Sequence, residues 1–318
     1  MRVRKLDTSH GRDVRQFINF PFVLYRDCPQ WVPPFVDEMK LALNRAKHPF
    51  YRHSEADFYV VESERETLGR IAVLNNRNFN AFRHSHTGFF YYFDAVNDVQ
   101  VARALFGAAF EWARARGLDK LMGPKGLAHA DAVGILIEGF EHRPAMGVPY
   151  NYPYYQALVE DSGFEKETDS LSAYIGPEYK LAPRVYELAA RVAERRGLSI
   201  KTFRNEKELR AWAGRIGDVF NASFGEFEDF WPPTEEEIKL NTERLLAIAD
   251  PRLIKLVMKG DEVIGFIFAF PDISAAIQRT RGRLWPFGWL DLKREFKRTK
   301  WVNLNGAGIL AGHRGVGA

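Results

Sequence analysis

The chain is poor in sulfur, lacks long apolar runs and carries a formal net charge of only +4. Its one cysteine, Cys28, excludes an intramolecular disulfide and suits a reducing compartment. Asp27 and Pro29 flank that thiol without any pattern that would activate it as a nucleophile. No stretch approaches the ~18 apolar residues that would span a bilayer, and MRVRKLDTSHGRDVRQF at the N-terminus has no apolar signal core. These absences lead to the expectation of a cytoplasmic protein. The histidines are scattered without HxxxH spacing or cysteine partners, so no metal site is expected. The small charge excess does not call for nucleic acid or a membrane surface as partner.

What is present is enough apolar material for a large core. With 318 residues, 46% hydrophobic and 14% aromatic, two domains are expected. The basicity is local: from Arg279 to Lys300, eight basic residues face only Asp291 and Glu295. That segment reads as a solvated amphipathic helix over the domain, as a contact for an anionic surface or nucleic acid, or as a source of charge for a phosphate ligand.

The sequence repeats itself. QWVPPFVDEMKLAL (Gln30 to Leu43) matches DFWPPTEEEIKLNT (Asp229 to Thr242), and VVESERETLGRIAVL (Val60 to Leu74) matches LVMKGDEVIGFIFAF (Leu256 to Phe270). Pro33-Pro34 and Pro232-Pro233 are each expected inside the first turn of a helix, where carboxylates also favour the macrodipole. The second match predicts a hairpin in each unit, turning at Lys259-Gly260-Asp261-Glu262 in the later copy. Another strand follows in each, GFFYYFDAV and WVNLNGAGIL. The first unit then enters a helix capped by Asp98 and ended by Gly117, whereas the second enters GHRGVGA. Between the units lie a helix closed by Gly197 and a strand, LSIKTF, which places the boundary near residues 165–200.

A glycine loop between a strand and a helix offers backbone N–H groups to a pyrophosphate. Together with the hairpin and strand before it, the run from His313 to Ala318 resembles the acyl-CoA loop of the GNAT superfamily of N-acyltransferases, Arg/Gln-x-x-Gly-x-Gly/Ala. Arg314 and Gly317 fit, and the last small residue of the motif would fall at position 319. NYPYYQALVEDSGFEKE (Asn151 to Glu167) resembles the family's closing segment, a short helix leading through Gly163-Phe164 to a last strand. The resemblance implies an α/β (α+β) protein of two GNAT-like domains, each a mixed, mainly antiparallel sheet flanked by helices. Residues 1–170 would be a degenerate copy, since Asp94 and Asp98 stand where the phosphate loop should be. Residues 171–318 would be the cofactor-binding copy, expected to be cut short within that loop.

The implied activity is acyl-CoA-dependent N-acylation of a small-molecule amine, with acetyl-CoA or another acyl-CoA as co-substrate. The alternative is a catalytically silent binding protein of the same fold. By resemblance, the backbone N–H of Ile309 or Leu310 would face the thioester carbonyl. The pyrophosphate would lie on Arg314, Gly315, Val316 and Gly317, with Gly312 and His313 at the loop entry. The base is open among Glu226, Glu228 and Asp229, which can equally be a solvated loop. Asn303 and Asn305 share one strand face, where they either orient a water or substrate amide or bond neighbouring strands. Tyr150, Tyr152, Tyr154 and Tyr155 are either core aromatics or a wall of the acceptor site between domains. The long connection Gly123 to Asn151 is read as a loop controlling substrate access.

Overall fold

The computed structural model describes residues 1–129, 131–227 and 229–315, and of residue 305 the backbone only. The chain forms two compact units, one of residues 1–168 with 272–299, the other of residues 169–271 with the chain from Lys300 onward. Unit 1 begins β1 (Arg2–Lys5), α1 (Gly11–Leu24), α2 (Val36–Leu43), β2 (Glu55–Glu62), β3 (Thr67–Asn75), α3 (Arg77–Arg83) and β4 (Thr87–Ala95). It continues with α4 (Val99–Arg114), β5 (Lys120–Met122) and α5 (Tyr155–Glu160). The sheet order is β1-β2-β3-β4-β5. The first four strands are antiparallel, and β5 runs parallel to β4 beside Thr87–Phe89.

Strand period 2 distributes β2 between two helical layers. Asp57 faces α4 and accepts from the indole N–H of Trp112 at 2.7 Å, while Phe58 meets Phe17 of α1 edge-on at 5.2 Å. Helix α4 starts where the Asp98 carboxylate accepts from Gln100 N–H. It buries Val101, Leu105, Phe106, Ala109 and Trp112, the 3–4 spacing of one helix face. The short helix α5 is present, but no closing strand follows it among the described residues. Phe164 instead turns its ring into the core against Phe90, Phe106 and Phe110, centroids 5.1, 4.7 and 5.4 Å away.

Unit 2 holds α6 (Pro183–Arg196), β6 (Leu198–Lys201), α7 (Glu206–Ala211), α8 (Ala213–Phe224), α9 (Glu235–Ile248), β7 (Lys255–Lys259) and β8 (Glu262–Pro271). The chain then gives α10 (Ser274–Thr280) and α11 (Gly288–Arg298) to unit 1 and returns as β9 (Val302–Ile309). The second sheet, β6-β7-β8-β9, is antiparallel throughout the described residues. Phe266, Phe268 and Phe270 of β8 form its core with Ile216 and Val219 of α8. Gly197 ends α6 with φ 62°, the left-handed conformation that glycine adopts without strain.

Both proline pairs lie just before the helix cap rather than inside the first turn. The caps are Phe35 and Thr234. Thr234 and Glu237 form a reciprocal box, Glu237 N–H to Thr234 Oγ1 at 3.3 Å and Thr234 N–H to Glu237 Oε2 at 2.8 Å. Side chains thus serve the first turn of α9, whereas α2 has no side-chain cap and its Val36 N–H donates to the Gly282 carbonyl.

The duplication is visible in the ladders. Val61 pairs with Gly69 and Val257 with Gly265, and in each hairpin the register shifts at the next residue. In each unit the same glycine then pairs with the last residue of the next strand, Ala95 of β4 or Ile309 of β9. A side chain at Gly69 would come within 2.8 Å of Leu105 and 3.1 Å of the Asp94 carbonyl, and one at Gly265 within 2.9 Å of the Gly308 carbonyl. The two glycines therefore hold the strands at the same close approach.

Residues 272–299, which sequence pattern places in the second domain, pack with unit 1. Gln278 Nε2 donates to Pro29 O and Trp31 O, each at 2.9 Å, and Val36 N–H donates to Gly282 O at 2.9 Å.

Candidate active site

Strand β9 and the residue after it supply Ile309 and Leu310, which the family resemblance assigns to the thioester. Its register against β8 slips at Asn305-Gly306, where two residues of β9 oppose Phe268 alone. This is a bulge, and Gly306 takes φ 139° to make it. Beyond the bulge, Leu310 N–H donates to Ile264 O at 2.9 Å while Ile309 stands opposite Gly265. Bonded and non-bonded pairs alternate along an antiparallel ladder, so the Ile309 N–H points away from β8. The Leu310 N–H already completes the ladder. Ile309 keeps an N–H aimed outward.

The loop after β9 folds as a single 3₁₀ turn over Ala311–His313. His313 N–H donates to Leu310 O at 2.8 Å and Arg314 N–H to Ala311 O at 3.2 Å. Those two N–H groups are engaged inside the turn and do not form an anion nest in this conformation. Gly312 has open space where a side chain would stand, and Gly315 takes φ 71°. Val316 and Gly317 lie outside the described residues, as do Glu228 and the side chain of Asn305.

The structure brings Arg314 and Glu226 together. Arg314 Nη1 is paired with Glu226 Oε2, and its Nη2 donates to Ser223 O at 3.1 Å at the end of α8. A candidate phosphate-binding cation and a candidate base, 88 residues apart, thus hold each other. Asn303 sits in the ladder opposite Phe270. Ser223 is buried against β9, where a side chain on Gly308 would lie 3.0 Å from its Cβ.

The equivalent place in unit 1 is filled by the protein itself. Val96 N–H donates to Leu68 O at 3.0 Å, so the Ala95 N–H points outward like that of Ile309. It donates to Tyr155 Oη at 3.2 Å, and the Ala95 carbonyl accepts from Tyr154 Oη at 2.9 Å. Tyr155 Oη also lies 2.8 Å from Tyr25 Oη and 3.2 Å from Asp94 Oδ1. Arg70, itself buried, holds Asp94 Oδ2 at 2.7 Å and donates to Phe17 O at 2.8 Å. Burial pushes the Asp94 carboxyl above its ordinary value against the pull of Arg70, and burial pushes Tyr25 and Tyr155 well above theirs. Asp98, expected to repel a pyrophosphate, caps the α4 N-terminus and uses its carboxylate on Gln100 N–H at 2.8 Å.

The tyrosine cluster is legible in the sequence, but its partners are not. Tyr152 stacks on Tyr25 at 5.0 Å and donates to Leu24 O at 3.1 Å, and Tyr150 donates to Phe140 O at 2.9 Å. Arg70 and Tyr25 were missed because nothing near them in sequence marks them as partners of Asp94. Asn151 is buried and pins the long Gly123–Asn151 connection, accepting from Leu136 N–H at 2.7 Å and donating to Leu136 O at 3.0 Å. Among the described residues no group of three or more His, Cys, Asp or Glu is placed to hold a metal ion, and no helix is long and apolar enough to cross a membrane.

No family model matches the chain. Protein YghO of Escherichia coli (strain K12) is 30% identical over 302 residues, which cover 92% of this chain and 76% of that protein. The chain belongs to the family of Protein YghO. Another relative of this YghO-family chain, Bacterial ceramide synthase of Caulobacter vibrioides (strain NA1000 / CB15N), is 28% identical over 284 residues, 88% of this chain and 73% of that protein. Among solved structures, a tandem GNAT protein from the clavulanic acid biosynthesis pathway, determined without AcCoA, aligns with 99% of this chain and 80% of its own at 12% identity and a TM-score of 0.47. Each unit of this YghO-family protein uses the same hairpin, followed by a bulged strand.

Proposed function

We propose that this protein is an acyl-CoA-dependent N-acyltransferase whose second unit receives the acyl-CoA, the first being a degenerate copy. The observation that carries the reading is the filling of unit 1. The outward N–H and carbonyl of Ala95 are bonded to Tyr155 and Tyr154, and Asp98 occupies the α4 N-terminus. A thioester and a pyrophosphate would have to displace those groups, and the phosphate would meet a carboxylate. At the matching strand of unit 2 the Ile309 N–H points away from the sheet, an orientation suited to a thioester carbonyl. The name of the relative Bacterial ceramide synthase supports an amine acceptor, since a ceramide is an N-acylated long-chain amine.

In the reaction the amine nitrogen attacks the thioester carbonyl carbon, an N–C bond forms, and the C–S bond breaks. The thiolate leaves with the electron pair, and the proton lost by nitrogen passes to a base or to that thiolate. The Ile309 N–H would bear on the oxyanion between those steps. The second reading, a silent binding protein, is favoured by the Arg314–Glu226 pair, in which the candidate base is already engaged.

Thermal-shift titration with acetyl-CoA and longer acyl-CoAs, followed by hydrogen exchange, tests the assignment. Stabilisation with protection at residues 302–315 is the expected result. Protection at residues 87–102 instead would reverse the roles of the units. Stabilisation without release of free CoA from acyl-CoA in the presence of any long-chain or small amine would select the silent binding protein.

A further inference from the structure

The segment that joins α10 to the end of α11 sorts its charges. Arg279 holds both acids, Asp291 through Nε at 2.8 Å and Nη2 at 3.1 Å, and Glu295 through Nη2 at 2.6 Å. Leu290, Leu292 and Phe296 are half-buried with them. The residues left exposed are Arg281 and Arg283 before the helix and Lys293, Arg294, Lys297 and Arg298 on it. A segment that reads as mixed charge in sequence is therefore purely cationic on its outer side.

Bulky rings stand among those cations. Trp285 is 81% exposed, Phe287 72% and Trp289 42%, within five residues. Such clustered exposure marks a binding surface rather than ordinary scatter. Trp289, Lys293 and Lys297 follow one another at helical i, i+4 spacing, and the Lys293 ammonium lies 5.0 Å from the Trp289 ring. The Trp289 indole N–H already donates to Pro286 O at 3.1 Å, so this ring can leave water without stranding a donor. The patch is fixed to the body of unit 1, since the Gly282 backbone packs so closely that a side chain there would meet Pro34 O at 2.3 Å.

We propose that this face docks on the surface of an anionic lipid bilayer, with the three rings at headgroup depth and the six cations against lipid phosphates. Aromatic rings flanked by Lys and Arg are the pattern of interfacial segments. Single-stranded nucleic acid is the other polyanion with an affinity for rings and cations, but it is bound by rings spaced along a basic groove. Here Trp285 and Phe287 stand just ahead of a cationic helix and Trp289 in its first turn. The docking goes beyond the acylation reading and needs no acyl-CoA.

Flotation of the full chain with vesicles of phosphatidylcholine, with and without phosphatidylglycerol, tests it. Binding is expected only with phosphatidylglycerol, falling with added salt, together with a blue shift of tryptophan emission and quenching by brominated lipid. The double variant Trp285→Ser, Phe287→Ser should lose the quenching. Arg294→Gln with Arg298→Gln should weaken binding about 25-fold, at roughly one fivefold step per cation near such a surface. All four residues are exposed, so melting should be unchanged, and Arg191→Gln with Arg195→Gln on α6 should leave binding unchanged. Equal weakening by the α6 variant, binding to phosphatidylcholine alone, or retention of single-stranded DNA with vesicles ignored would overturn the proposal.

Discussion

Replacing Ile309 by proline isolates one N–H. Proline in a strand normally removes a ladder bond, but Ile309 is at a non-bonded position whose N–H points away from β8. Gly308 precedes it and tolerates the restriction that proline imposes on its neighbour. The substitution should therefore cost no more than about 1–1.5 kcal/mol in stability, chiefly from lost packing of a half-buried side chain. If that N–H bears on the thioester oxyanion, its loss should lower the acyl-transfer rate by about 10²–10³. Leu310→Pro is the contrast. It breaks the bond to Ile264 O and leaves that carbonyl unpaired, a cost of about 1–3 kcal/mol. The assay is release of free CoA at saturating acyl-CoA, with melting temperature measured in parallel. Equal kcat in wild type and Ile309→Pro, with equal melting temperature, would show that no reacting oxygen meets this N–H.

Tyr155→Phe removes the hydroxyl shared by Tyr25, Asp94 and Ala95 N–H and should destabilise unit 1 by about 2–3 kcal/mol in denaturant unfolding. It should leave acyl-CoA affinity unchanged, and a gain in affinity would mean that unit 1 hides a usable site. Burial raises the Asp57 carboxyl, but its bonds to Lys5, Arg45 and Trp112 outweigh that and hold it below its ordinary value. Its contribution is therefore complete above the ordinary carboxylate range and is lost as pH falls through the lowered value. Asp57→Asn should flatten acid unfolding in that range, and an unchanged profile would place the acid sensitivity elsewhere. Gly265→Ala should cost about 1–3 kcal/mol, because its methyl group would meet the Gly308 carbonyl at 2.9 Å. A neutral outcome by thermal melting would show that β9 can move aside.

Local chemistry was legible in the sequence. The hairpins follow from apolar runs broken by turn residues, and Gly69 and Gly265 stand at matching places in the two repeated stretches. Asp98 and Gly197 marked helix ends because a cap is a contact within a few residues. What the tertiary structure alone decided was every partnership across long stretches of chain. Tyr155 plugs the edge of β4 from 60 residues away, Arg314 meets Glu226 across 88, and residues 272–299 cross back to unit 1. The sorting of Asp291 and Glu295 onto Arg279, which leaves one face cationic, likewise depends on how α11 lies against α10. A side chain's period and caps are set by its own element, whereas its partner is set by which surfaces exclude water together, and that is a property of the packed whole.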